Sequence, residues 1–301
     1  MKLVRFSTNG QLPRLGALQG DRIIDLTASV AATLTARGVV RAREIAAAIV
    51  PASAREFLEG GAASAEAVAA IKEPVSVPAT AARLHAPIDD PGKFICIGLN
   101  YRDHAEETGN PIPKEPPIFG KWSPSIIGPG DPILRPRGSK QLDWEVELGV
   151  VIGRTARFVS RESALDYVWG YTIINDASAR DFQFLTSQWM AGKIFETAAP
   201  VGPYIADGTE VPDPHSLGLR TIVNGKQMQN GNTKTFIFDV RYIVSYLSGL
   251  MTLSPGDLIA TGTPPGVGLA IKPTPVFLQP GDVCRVEIDR LGSMENPIKE
   301  A

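Results

Sequence analysis

Apolar and polar positions alternate through Asp143-Trp144-Glu145-Val146-Glu147-Leu148, and the stretch runs on as Gly149-Val150-Val151-Ile152-Gly153. A period of two is the signature of a strand. It sets Asp143, Glu145 and Glu147 on one face, with Trp144, Val146 and Leu148 on the other. Shorter strand patterns cover Lys2–Phe6, Arg14–Leu18 and Arg22–Leu26, split by Asn9-Gly10 and Gly20-Asp21 turns. Alanine-rich segments predict helices near Arg43–Ile49, Ala54–Glu59 and Ala65–Ile71. Residues 1–80 therefore read as a small separate unit, suited to packing or dimer support. The segment 72–91 carries Pro74, Pro78, Pro87 and Pro91 and reads as an extended linker. Beyond it, residues 81–301 form the larger domain. Strands are expected at Lys93–Gly98, Gly170–Asp176, Asp257–Thr261 and Val283–Ile288, with a hairpin through Thr221–Gly225. Helices are expected at Arg161–Tyr167 and Phe238–Leu247.

Composition narrows the partners. A chain of 301 residues, 44% hydrophobic and 21% charged, has the make-up of a soluble globular protein. A formal net charge of −2 offers no general attraction to nucleic acid or an anionic membrane, so a small-molecule partner is expected. Apolar runs such as Ile45–Val50 are too short to span a bilayer. Cys96 and Cys284 sit in apolar surroundings without metal-binding spacing, and read as buried thiols of a cytoplasmic protein.

Neighbouring carboxylates on one strand face repel unless something positive lies between them. A bound divalent cation resolves that for Glu145 and Glu147; a solvated edge strand resolves it equally well. Asp176, at the end of an apolar strand, suits a third oxygen ligand. His104 and Glu107 lie three apart, on one helical face. A carboxylate there raises imidazole basicity and fixes its tautomer, as a general base requires; a surface ion pair is the plain alternative. Arg180 and Lys193 would hold an acidic, oxygen-rich substrate beside a cation, although Arg180 could equally form a structural ion pair with Asp181 or another acid. Gly262-Thr263-Pro264-Pro265-Gly266-Val267-Gly268 is a tight loop lacking the spacing of a phosphate cradle. The Pro- and Gly-rich stretch 108–138 reads as a lid or binding loop; its Lys121 could reach an anionic ligand, but a lone lysine is usually just solvated. His85 and His215, without acidic clusters, read as structural.

Taken together, Gly98-Leu99-Asn100-Tyr101-Arg102-Asp103-His104-Ala105-Glu106-Glu107, Asp143–Leu148, Asn175-Asp176-Ala177-Ser178-Ala179-Arg180-Asp181-Phe182-Gln183, Gly192-Lys193 and Ala260–Gly268 resemble the fumarylacetoacetate hydrolase family. The motifs occur in the family's order from about Pro91 to Pro297. Arg14-Leu15-Gly16 and Gly20–Leu26 resemble the amino-terminal domain of its bacterial members.

The resemblance implies an α+β, mostly β chain: a mixed β-roll or sandwich catalytic domain beside a small α+β domain, usually as a homodimer. It implies Mg²⁺ or Mn²⁺ on Glu145, Glu147 and Asp176, and catalysis by His104 with Glu107. It places Arg180, Gln183, Lys193 and Thr263 around the substrate or metal, with Asp143 in a supporting role. It implies metal-dependent C–C cleavage of a 2-oxo or 1,3-dicarbonyl acid, as an acylpyruvate hydrolase or an oxaloacetate decarboxylase. An isomerase or tautomerase of a 2-hydroxy-dienedioate in aromatic catabolism is the alternative. Glu196 stands where members often carry Asp, and Ala198 and Ala199 are smaller than usual, which puts the nearby pocket shape in question. The distal pocket is expected from the 108–138 loop and from Trp189 or Met190.

Overall fold

The computed structural model describes all 301 residues. Its backbone is a twelve-stranded mixed sheet. At the centre, Val146–Ile152 lies between Val168–Asn175, paired antiparallel, and Leu258–Ala260. Phe94–Ile97 and Ile118–Gly120 extend it on one side, and Ala199–Asp207 on the other. Ala199–Asp207 then pairs with Lys2–Ser7, so the sheet runs unbroken into Arg14–Gln19 and Arg22–Asp25. A five-stranded sheet packs beside it, ordered Lys226–Asn232, Gly218–Val223, Val283–Ile288, Gly292–Glu300 and Ile133–Arg135.

The period of two explains how the central strand is used. Val146, Leu148, Val150 and Ile152 enter one apolar core, shared with Val286, Ile288 and Met294 of the second sheet. Val151 enters another, with Leu3, Leu15, Val30, Phe57 and Leu58 beneath the amino-terminal helices. With apolar cores on both faces, the strand has no solvated side, and the edge-strand reading of its acids fails. No helix is long and apolar enough to cross a membrane.

Several expectations are corrected here. The segment 72–91 is built into the sheet: Ser76–Pro78 pairs with Arg22–Asp25, and Arg83–His85 pairs with Lys2–Ser7. Proline tolerates such edge positions because its missing N–H lies outside the ladder. Residues past Leu26 form a helix, Leu26–Ala36, which Asp25 starts by accepting a hydrogen bond from the Ala28 N–H at 3.0 Å. The other helices lie at Ala42–Ile49, Ala54–Glu59 and Gly61–Ala69, close to their predicted places. Arg161–Tyr167 shrinks to one 3₁₀ turn over Ala164–Tyr167, whereas the helix at Val240–Leu250 is present. The stretch 108–138 is laced by short strands rather than left as one loop. Cys96 and Cys284 are buried free thiols.

Candidate active site and metal centre

The acidic strand is interrupted. Leu142–Asp143 pairs with Ser178–Ala179, and the long strand resumes only at Val146. The break separates Asp143 from the other acids. Its carboxylate accepts N–H bonds from Gly268 (2.7 Å) and Leu269 (3.0 Å) and from Arg180 Nε (2.8 Å). It therefore ties the Gly262–Gly268 loop to Arg180. A Cβ on Gly268 would come within 2.0 Å of the Val276 carbonyl oxygen and 2.8 Å of that carboxylate, so the close approach requires a glycine.

Glu145, Glu147 and Asp176 converge instead. All are buried, and one carboxylate oxygen of each lies within 4.8 Å of the others. Glu145 is oriented by the Asn175 side chain, whose Oδ1 accepts its N–H, and Glu147 Oε2 accepts the Gly262 N–H at 2.7 Å. Lys193 Nζ bridges Glu145 and Asp176 at 2.7 and 2.8 Å. Arg180 Nη2 lies 2.7 Å from Glu145 Oε1, and its Nη1 donates to Gln183 Oε1 at 2.9 Å. Arg180 thus forms ion pairs with other acids, Asp143 and Glu145, and not with Asp181, which accepts from Ser139 and Lys140.

The structure corrects the solvated reading of Lys121. Lys121 is wholly buried, and its Nζ donates to Asp176 Oδ1 at 2.6 Å. No pattern around Phe119-Gly120-Lys121-Trp122 signalled this, because the contact spans 55 positions of chain. The only hint was a lysine flanked by residues that must pack.

Burial and charge act in opposite directions on the acids. Burial raises the Glu145 carboxyl, but Lys193 and Arg180 outweigh it and hold the group down at about 2. Burial pushes Glu147 well above the ordinary range, and the Asp176 and Glu145 carboxylates push it further. Once Glu147 gives up its proton, four buried acids, with Asp143, face three buried bases, Lys121, Arg180 and Lys193, leaving one negative charge uncompensated. An all-oxygen donor set with surplus negative charge fits a hard divalent cation such as Mg²⁺ or Mn²⁺.

Of these groups Glu145, Glu147, Arg180, Gln183 and Lys193 line a cleft of about 290 Å³. His104 enters it from the helix Arg102–Thr108. Its Nδ1 lies 3.3 Å from Glu107 Oε2, and Glu107 is itself anchored by the Gly266 N–H at 3.0 Å. The alternative of a surface ion pair does not hold, since His104 is buried. Thr263 also lines the cleft; its hydroxyl donates to the Val146 carbonyl and accepts from Gln229 Nε2. Leu99, on the cleft wall, takes the left-handed conformation (φ 48°), and buried Asn100 pins the turn through Phe238 and Thr261. Trp189 lines the cleft and Met190 does not; Glu196, Ala198 and Ala199 are not among its lining residues. His85 bonds Ser7 and His215 accepts the Val240 N–H, both structural roles.

Residues 93–299 match the family described as fumarylacetoacetate (FAA) hydrolase C-terminal. The fold is similar to the solved fumarylacetoacetate hydrolase of Exiguobacterium antarcticum, at 35% identity and a TM-score of 0.83, with both chains wholly covered. It is similar to the maleylpyruvate hydrolase of Sphingobium sp. SYK-6, solved with manganese(II) and pyruvate, at 32% identity and a TM-score of 0.75, again over both whole chains. The 2-hydroxyhepta-2,4-diene-1,7-dioate isomerase of Mycobacterium marinum is 32% identical with a TM-score of 0.74, covering 100% of this chain and 98% of that one.

Proposed function

The chain belongs to the fumarylacetoacetate hydrolase family, and from that premise we propose that it hydrolyses a C–C bond in a small 2,4-dioxo acid of the acylpyruvate type. One observation carries this reading: Glu145 and Glu147, two members of a cluster of three buried carboxylates with Asp176, line the same cleft as His104, which Glu107 backs. Mg²⁺ or Mn²⁺ held by Glu145, Glu147 and Asp176 would supply Lewis-acid stabilisation of the substrate's carboxylate, keto and enolate oxygens.

The chain's own residues do the rest. Lys193 has two N–H directions engaged by Glu145 and Asp176, leaving a third for a substrate oxygen. Arg180, braced by Asp143 and Gln183, adds positive charge where the enolate develops. With Nδ1–H directed to Glu107, His104 Nε2 is left to take a proton from water. The hydroxide adds to the distal carbonyl carbon, and the bond between that carbon and the central methylene breaks. The bonding pair passes to the pyruvate enolate, and the proton held on His104 completes the methyl group. One water is consumed, and a carboxylic acid and pyruvate leave.

The second reading is isomerisation of a dienedioate, supported by the likeness to the isomerase; it moves a proton between carbons and consumes no water. Product analysis separates the two. With an acylpyruvate and Mg²⁺, hydrolysis yields pyruvate and an acid in equal amounts, whereas an absorbance change at unchanged mass supports isomerisation. His104→Ala should lower hydrolysis about 10²–10⁴-fold while metal affinity holds. Unchanged hydrolysis in that variant removes His104 from the base role.

A further inference from the structure

The reaction proposed above defines the near end of the substrate, and the composition of the cleft bears on the far end. We infer that this chain selects 2,4-dioxo acids whose distal acyl group is apolar and uncharged, and discriminates against those carrying a second carboxylate there. The inference rests on the hydrolase reading and names the substrate class of the same site.

Among the cleft-lining residues the only bases are His104, Arg180 and Lys193. Arg180 has all three nitrogens committed, to Asp143, Gln183 and Glu145, and Lys193 is held between Glu145 and Asp176. With Glu147 ionised, the acids around them exceed the bases by one charge. Loading a divalent cation would turn that deficit into a single positive excess, enough for one substrate carboxylate and no more. The charged partner of His104 is the Glu107 carboxylate, whose sign repels a second anion.

The remaining wall is built for hydrocarbon. Phe119 and Trp189 meet edge to face at 5.9 Å, and Phe184, Val267 and Leu269 complete that part of the lining. Gly98 allows this wall to exist, because a Cβ there would fall 2.4 Å from the Trp189 ring. Two of the uncharged polar side chains on the lining are tied up within the chain. Thr108 Oγ1 donates to the His104 carbonyl, and Asn110 Nδ2 donates to Thr108 Oγ1. A distal carboxylate would lose water and find no uncommitted cation on this wall, which is a basis for rejection.

The test uses the full chain with Mg²⁺ and two 2,4-dioxo acids of matched length, one ending in methyl and one in carboxylate. Both kcat/KM and, by calorimetry, Kd are measured for each. The methyl-ended acid should be favoured roughly 30-fold or more in both. Phe184 is 57% exposed, so Phe184→Arg can place a cation at the distal wall with the core intact. It should shrink that preference about 10-fold, and Asn110→Arg, also at an exposed position, gives an independent repeat. Equal or better use of the carboxylate-ended acid by the parent protein overturns the inference, as does a preference that both arginine variants leave unmoved. If neither acid is cleaved, the hydrolase reading falls. The Kd ratio then still decides selectivity: tighter methyl-ended binding upholds it, and equal binding overturns it.

Discussion

Charge is handled in opposite ways around the amino-terminal helices and in the cleft. Beside the helix Ala42–Ile49, Arg41 and Glu44 pair with side chains 74% and 59% exposed. In the cleft, Lys121 and Asp176 pair with both side chains at 0%. Exposed pairs contribute about 0–1 kcal/mol, whereas a buried ion is desolvated at several kcal/mol and leans entirely on its partner. The helices could lose their ion pairs and still pack through Val30, Phe57 and Leu58. The cleft could not, because its cations set where its acids stand. Buried charge in this chain is thus concentrated where chemistry would use it, at the expense of local stability.

The comparison breaks most severely at the ligand cluster. Glu145→Ala should abolish detectable Mg²⁺ or Mn²⁺ binding in a calorimetric titration and lower turnover roughly 10³-fold or more. Full turnover of the parent protein after chelation of divalent metal would remove the cation from the scheme. Next comes the buried pair itself. Lys121→Met should destabilise the fold by about 3–5 kcal/mol in urea unfolding, and Arg41→Ala by no more than about 0.5 kcal/mol. Equal losses would erase the contrast between the two regions.

The smallest effect sharpens the contrast through pH. Glu147 has its folded-state pKa raised, by burial first and then by Asp176 and Glu145. Its contribution is therefore fully present below the ordinary value of 4.5 and is lost as pH rises through the folded value. Glu145 runs the other way. Its contribution is present above 4.5 and is lost as pH falls towards about 2. A divalent cation competes with the proton on Glu147, so adding Mg²⁺ should raise Tm more at pH 8 than at pH 5, by about 5 °C. A pH-independent shift would mean that Glu147 does not titrate with the metal.

Local pattern made much of this legible. Val283–Ile288 and Ala54–Glu59 were placed to the residue, since their periodicity and bounding turns are short-range signals. Glu145 and Glu147 share a face as the period of two requires. Asp143 broke the pattern because the strand is interrupted at Trp144 and Glu145, and nothing in the alternation records an interruption. The strands Ala199–Asp207 and Gly292–Glu300 were missed, being held by partners far along the chain. The proline-rich segment 72–91 misled for the same reason: an edge strand and a linker have similar composition until a neighbouring strand is supplied.

The sequence by itself determined the ordered motifs, the family they resemble, and the side chains able to bind a hard cation or move a proton. Those are properties of residue type and spacing. Tertiary structure alone decided that Glu145, Glu147 and Asp176 meet within 4.8 Å, that Asp143 serves Arg180 and the glycine loop, and that Lys121 is a buried counter-ion. The physical reason is distance along the chain. Coulombic and hydrogen-bonding partners of buried charges are chosen by long-range sheet pairing, and a linear pattern does not encode which strand will lie alongside.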